Sequence, residues 1–205
     1  MGYGSRMGEN GSAITEGYSS IPVMTGERVE GCVLVSFGMA VNKEGVVSEN
    51  RAEIVFKQPN GATFRHSYFD SDNPFLQDKV NTSVLHICTK VVDEETYYQA
   101  VENSLGFSDF IDNVSKLLSD NEAIGKKFNL KVVLKLNTKD GKYRPSLPFI
   151  PAFIEKGGTS ASESRFKTDP KYDLYEAPVD EVSEEEKEAM GAAGSSSAGD
   201  DDLLF

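Results

Sequence analysis

From residue 48 to residue 57 (SENRAEIVFK) apolar and polar side chains alternate along the chain. Ala52, Ile54 and Phe56 fall on one face of an extended backbone, with Arg51, Glu53, Val55 and Lys57 on the other, and this two-residue period predicts a half-buried strand. Upstream, the Val-rich run over residues 29–41 predicts a longer first strand, in which Gly31 and Gly38 are expected to mark bends or bulges. Downstream, "QPNG" brings the Asn-Gly pair that favours a tight hairpin turn, and residues 63–69 (TFRHSYF) return as a third strand. The period then lengthens. Residues 80–125 are helical in character: Tyr97, Val101 and Leu105 recur every fourth residue. After Gly106, Ser108 is expected to cap a helix carrying the stripe Phe110, Ile111, Val114, Leu117 and Leu118. Such stripes are read here as core contacts. Strands resume at residues 128–137, where Val132, Leu134 and Leu136 alternate with Lys131, Val133 and Lys135. The turn "KDGK" then predicts a hairpin onto residues 143–150, and Pro145 and Pro148 confine that last strand to an edge or an irregular path.

Three strands, a helical segment and a two-stranded hairpin make the element order of an OB-fold, the small Greek-key barrel whose hairpin loops border its binding face. The expected fold is therefore mainly β (α+β): a five-stranded OB-fold barrel with a helical insert, about residues 80–125, between strands three and four. Other β-sandwiches also accommodate five strands. Residues 1–25 are Gly/Ser-rich and without period, which predicts a flexible arm, and 26–155 form the predicted domain. Residues 156–177 are a polar linker expected to lie along the surface through Phe166, Tyr172 and Tyr175, and 178–205 are expected to be a disordered acidic tail.

Composition narrows the function classes. The chain of 205 residues is 39% hydrophobic and lacks Trp, so twelve Phe and eight Tyr supply the large apolar volume of a modest core. No run approaches the ~18 apolar residues of a membrane span, and the first residues lack both the secretory layout and the Ser/Thr of a myristoylation signal. Cys32 and Cys88 stand far apart without zinc-type spacing, as buried thiols of a reducing compartment do, and a cytoplasmic location is expected. Phosphate-binding loops, nucleophile elbows and HExxH are missing. His66 and His86 are read as structural residues. The expectation is a protein that is not an enzyme and that carries no cofactor or metal.

Charge is unevenly placed. The net charge is −12, yet ten carboxylates against one lysine lie from residue 176 onward, which leaves the preceding body nearly neutral. Within that body, residues 126–144 hold seven Lys/Arg against Asp140 alone. Lys131 and Lys135 share a strand face about 13 Å apart, and Lys139, Lys142 and Arg144 continue the positive charge around the turn. Tyr143 stands among them as a flat surface for a base. Cations that track phosphates beside aromatic faces that accept any base are what single-stranded nucleic acid requires. Arg51, Lys57, Arg65 and one of Tyr68 or Phe69 extend the predicted groove if strands two and three lie beside the hairpin. Any one of these lysines alone is better read as solubilising or edge-protecting; seven basic residues within nineteen favour binding.

The chain ends in GDDDLLF. An acidic tail closing on aspartates, two apolar residues and a terminal Phe resembles the tip of bacterial single-stranded DNA-binding proteins, typically DDDIPF, and the tails of phage proteins of that class. The matching positions are Asp200, Asp201, Asp202 and Phe205, with Leu203 and Leu204 in place of Ile-Pro. The resemblance implies a protein that coats single-stranded DNA in phage replication or recombination and recruits polymerase, primase or helicase through the tip, with no membrane partner. Physically, the Phe205 ring is expected to fill an apolar pocket on a partner while its carboxylate and the aspartates meet cations at the rim. Two rivals remain: an RNA-binding OB module, and a structural or adaptor protein with a generic acidic tail.

Overall fold

The computed structural model describes residues 21–138, 140–148, 152–169, 171 and 173–177. Among them run strands β1 (Gly26–Val41), β2 (Val47–Lys57) and β3 (Thr63–Phe69), then helices α1 (Pro74–Cys88), α2 (Glu94–Val101) and α3 (Phe107–Asp120). Strands β4 (Lys127–Asn137), β5 (Lys142–Ser146) and β6 (Ile154–Lys156) follow. The six strands form one antiparallel sheet in the order β3-β2-β1-β4-β5, with β6 also paired to β4.

β1 serves two neighbours. Its second half pairs with β2 and its first half with β4, and the ladder to β4 shifts register between Val29 and Cys32. Gly31 sits at that shift with φ +71°, where a side chain would clash with its own backbone. Gly38, by contrast, keeps regular register opposite Glu53. The sheet is not closed. Its end strands β3 and β5 share no ladder and meet at side chains: His66 Nδ1 accepts the Leu147 N–H at 3.4 Å and lies 3.3 Å from Ser146 Oγ.

The inner face follows the alternation. Ala52, Ile54 and Phe56 of β2 are fully buried with Phe64, Phe128 and Leu130, and Phe56 meets Phe64 and Phe128 ring to ring. α3 covers this face with Ile111, Val114, Leu117 and Leu118, the expected stripe, and Ser115 Oγ donates to the Phe37 carbonyl across the contact. Burying such a stripe stabilises by about 1.5–3 kcal/mol per large side chain.

The helical boundaries differ from expectation. Helix begins at Pro74, where Asn73 Oδ1 accepts the Phe75 N–H and proline occupies the position whose own N–H has no partner anyway. α2 is capped by Asp93 and stops at Val101. Leu105 therefore lies in the α2–α3 turn, 97% exposed, instead of continuing the Tyr97 stripe. Ser108 is inside α3, whose cap position is Gly106; Asp109 accepts the Leu105 N–H there.

Strand β6 joins the sheet through β4, and residues after it are tied to the sheet by single backbone hydrogen bonds. Gly157 N–H donates to the Lys127 carbonyl at 2.9 Å, and a Cβ at Gly157 would stand 2.5 Å from that oxygen, so only glycine fits. Farther on, Leu134 N–H donates to Leu174 O and Thr25 Oγ1 to Tyr175 O. Phe166 is buried and Tyr175 half-buried, while Tyr172 lies outside the described residues, as do residues 178–205 and most of the predicted N-terminal arm.

Candidate nucleic-acid interface

The structure divides the predicted basic groove into three groups. The first is structural. Lys131 is only 6% exposed; its ammonium pairs with the Asp173 carboxylate and donates to Lys167 O at 2.7 Å. Period-two alternation placed Lys131 in solvent, but the segment after β6 covers that face of β4. Lys131 is thus a corrected assignment: its charge is consumed within the fold. At the far end of β4 the reverse holds, since Leu136, expected to face inward, is half exposed.

The second group lies on the β4–β5 hairpin. Register places Lys135 opposite Arg144 and Asn137 opposite Lys142, and directly opposed residues present their side chains on the same face. Lys142 and Arg144 are exposed, with Arg144 paired to Asp140. Lys135 donates to Leu147 O at 2.7 Å. Burial first, and the nearby Lys79 charge second, push its ammonium down to about 8. Tyr143 pairs with Leu136 and so projects from the face opposite Lys142 and Arg144. It does not stand among them as expected. Lys139 is outside the described residues.

The third group is on β2 and β3. Register aligns Arg51 with Phe69, Glu53 with Ser67, Val55 with Arg65 and Lys57 with Thr63. Glu53 lies 3.4 Å from Arg51 and 3.5 Å from Arg65, so one carboxylate offsets part of two cations, while Lys57 is exposed. Tyr68 is corrected here. It is 4% exposed, its hydroxyl 3.0 Å from Ser83 Oγ, its ring against His66 and Phe37. Burial of that phenol raises its pKa. The aromatic that reaches solvent beside Arg51 is Phe69, 59% exposed.

Sequence reasoning missed Phe75 and Lys79 on α1. The Lys79 ammonium stands 4.2 Å from the centroid of the Phe75 ring, within cation–π range. An Asn-Pro helix start at residue 73 followed by Phe and Lys four apart was the available signal.

Both histidines are hydrogen-bond acceptors for backbone. His66 Nδ1 takes the Leu147 N–H, and His86 Nε2 takes the Ala152 N–H at 2.8 Å. Burial lowers their pKa values to about 3 and about 4, helped by the charges of Lys135 and Lys90 respectively. Among the described residues no group of His, Cys, Asp and Glu is arranged to hold a metal, and no helix is long and apolar enough to cross a membrane. A cleft of about 570 Å³ opens between the three helices and the end of β3. Among the described residues its lining combines Tyr97, Tyr98, Val101 and Phe107 with Asp70, Asp78 and neutral polar side chains, without a Lys or Arg to meet a phosphate.

What the cationic face of the hairpin offers chemically is phosphate contact, with ammonium and guanidinium groups spaced along one strand pair. No protein-family model matches this chain, and neither does any curated protein sequence.

Proposed function

We propose that this protein is a non-enzymatic single-stranded DNA-binding protein that coats DNA in phage replication or recombination and recruits polymerase, primase or helicase through its acidic C-terminal tip. The observation that carries the reading is the shared face of Lys135, Lys142 and Arg144 on the β4–β5 hairpin of a nearly neutral body. A strand order of β3-β2-β1-β4-β5, with the end of β5 beside β3, supports an OB-type barrel arrangement for that body. The ending Asp200–Phe205, on residues outside the described structure, supports partner recruitment and a cytoplasmic site of action.

Titration of a labelled dT oligomer, with duplex DNA and RNA of the same length as controls, tests this at two salt concentrations. Preferential binding of the dT oligomer, weakened by salt, is expected. Equal or tighter RNA binding points to an RNA module, and no binding of any oligomer points to an adaptor protein.

A further inference from the structure

Helix α1 carries an exposed aromatic side chain. Phe75, in the first turn of α1, is 62% exposed, although a phenyl ring left in water contributes nothing to the core. Lys79, one turn later, caps the ring with its ammonium. Lys79 lies on the side of α1 nearest the end of the hairpin. Ser83, one turn further along the same face, touches the Tyr68 hydroxyl, the Tyr68 ring packs on His66, and His66 meets Ser146 and Leu147 at the end of β5, where Lys135 donates to Leu147 O. The other side of α1 is occupied differently, since Gln77, Asp78 and Asn81 line the acidic cleft between the helices. Around the helix axis Gln77 and Asn81 stand well apart from Phe75 and Lys79, while Asp78, three residues after Phe75, lies between the two sides. α1 therefore carries a cation and an exposed aromatic ring on the side of the basic hairpin, with Asp78 at the border of the cleft.

We infer that the single-stranded DNA track leaves the β4–β5 hairpin and crosses helix α1, where Phe75 is the platform for one stacked base and Lys79 contacts the adjoining phosphate. This rests on the single-stranded DNA reading above. A base takes one face of the Phe75 ring while the Lys79 ammonium holds the other, and the phosphate that follows the base falls between Lys79 and Lys135. Repulsion between like charges such as Lys79 and Lys135 is relieved when a phosphate enters.

The chain contains no Trp, so Phe75→Trp installs a unique fluorophore at the platform while keeping an aromatic face. On titration with a dT oligomer its emission is expected to be quenched, whereas that of Tyr98→Trp, on the cleft side, is expected to stay unchanged. Phe75→Ala is expected to weaken binding about 5- to 150-fold, the worth of one stacked base, without altering the salt dependence. Lys79→Ala is expected to flatten the log–log salt slope by about 0.7. Phe75 is exposed, so these variants retain the fold. If the wild type binds the oligomer but Phe75→Ala binds equally well and Phe75→Trp emission does not move, the platform is elsewhere and the binding function stands. If the wild type binds no oligomer, both fall together.

Discussion

Lys131 and Asp173 form an ion pair shielded from solvent, with side chains 7% and 1% exposed, that joins strand β4 to the segment following β6. Taking two charges out of water is costly, and the pair is sustained because Lys131 also donates to Lys167 O and the chain closes over both. Removing one partner leaves the other buried without compensation. Lys131→Ala is expected to destabilise the protein by about 3–5 kcal/mol, seen as a lower urea midpoint. The double variant Lys131→Met with Asp173→Leu is expected to recover most of that loss. Under conditions where Lys131→Ala remains folded, its salt slope for a dT oligomer should match the wild type, because a lysine already committed to Asp173 releases no counterions.

Acid should loosen the chain after β5. His66 and His86 both accept backbone N–H groups, from Leu147 and Ala152, a role that only the neutral ring can fill. Their folded pKa values, about 3 and about 4, lie below the ordinary 6.5. Between those values the unfolded chain binds more protons than the folded one, so stability falls as pH drops below about 6.5 and continues to fall toward 3. Thermal unfolding followed from pH 7.5 to 4.5 is expected to show a declining midpoint. His66→Gln, whose amide oxygen can accept but does not titrate, should decline less steeply. Parallel curves would mean that carboxylates alone govern the acid response.

Alkali separates stability from binding at Lys135. Its ammonium is disfavoured in the folded state, with a pKa near 8 against 10.5 ordinarily, so its contribution to stability rises with pH across that window. Over the same window the group loses the charge that a phosphate requires. The buried thiols Cys32 and Cys88, pushed up to about 12, act in the opposite sense above pH 9, so the readout is the difference between wild type and Lys135→Gln. The stability advantage of Lys135→Gln at pH 7 should shrink by pH 10, and its deficit in dT affinity should shrink as well. Replacing Lys142 and Arg144 together by Ala should flatten the salt slope at both pH values, by about 0.7 for each phosphate no longer neutralised.

Charge and anchor should separate in the tail. Deleting residues 200–205 is expected to leave the unfolding midpoint in place and to tighten dT binding modestly at low salt, since a tethered polyanion that competes for the cationic face is gone. The gain should fade as salt screens both. Phe205→Ala keeps all the tail side-chain charges, so DNA affinity should hold while pull-down of replication partners fails. One residue added after Phe205 should fail in the same way, because it moves the terminal carboxylate away from the ring. If both variants retained every partner, the tip would be only an acidic solubiliser.

Strands β2 and β3, the hairpin turn at Asn60-Gly61, the α3 stripe and the placement of basic residues on β4–β5 were determined by local pattern. A period of 2 or 3.6 against one apolar face survives whatever else the chain does. Both histidines read as structural in the sequence because each stands alone, and each ring accepts a backbone N–H in the fold. The faces of single side chains were decided only by tertiary structure. Lys131 reads as exposed until a carboxylate forty-two residues later covers it, and β6 is too short at three residues to announce itself. Tyr68 and Phe69 are equivalent in sequence; Ser83 on α1 takes the first inward and leaves the second in water. Phe75 and Lys79 are brought to the side of the hairpin's end by a chain of distant contacts, Ser83 to Tyr68, Tyr68 to His66 and His66 to Leu147. A polar residue's partner can lie anywhere along the chain. Periodicity records only what each residue is, so burial by distant segments escapes it.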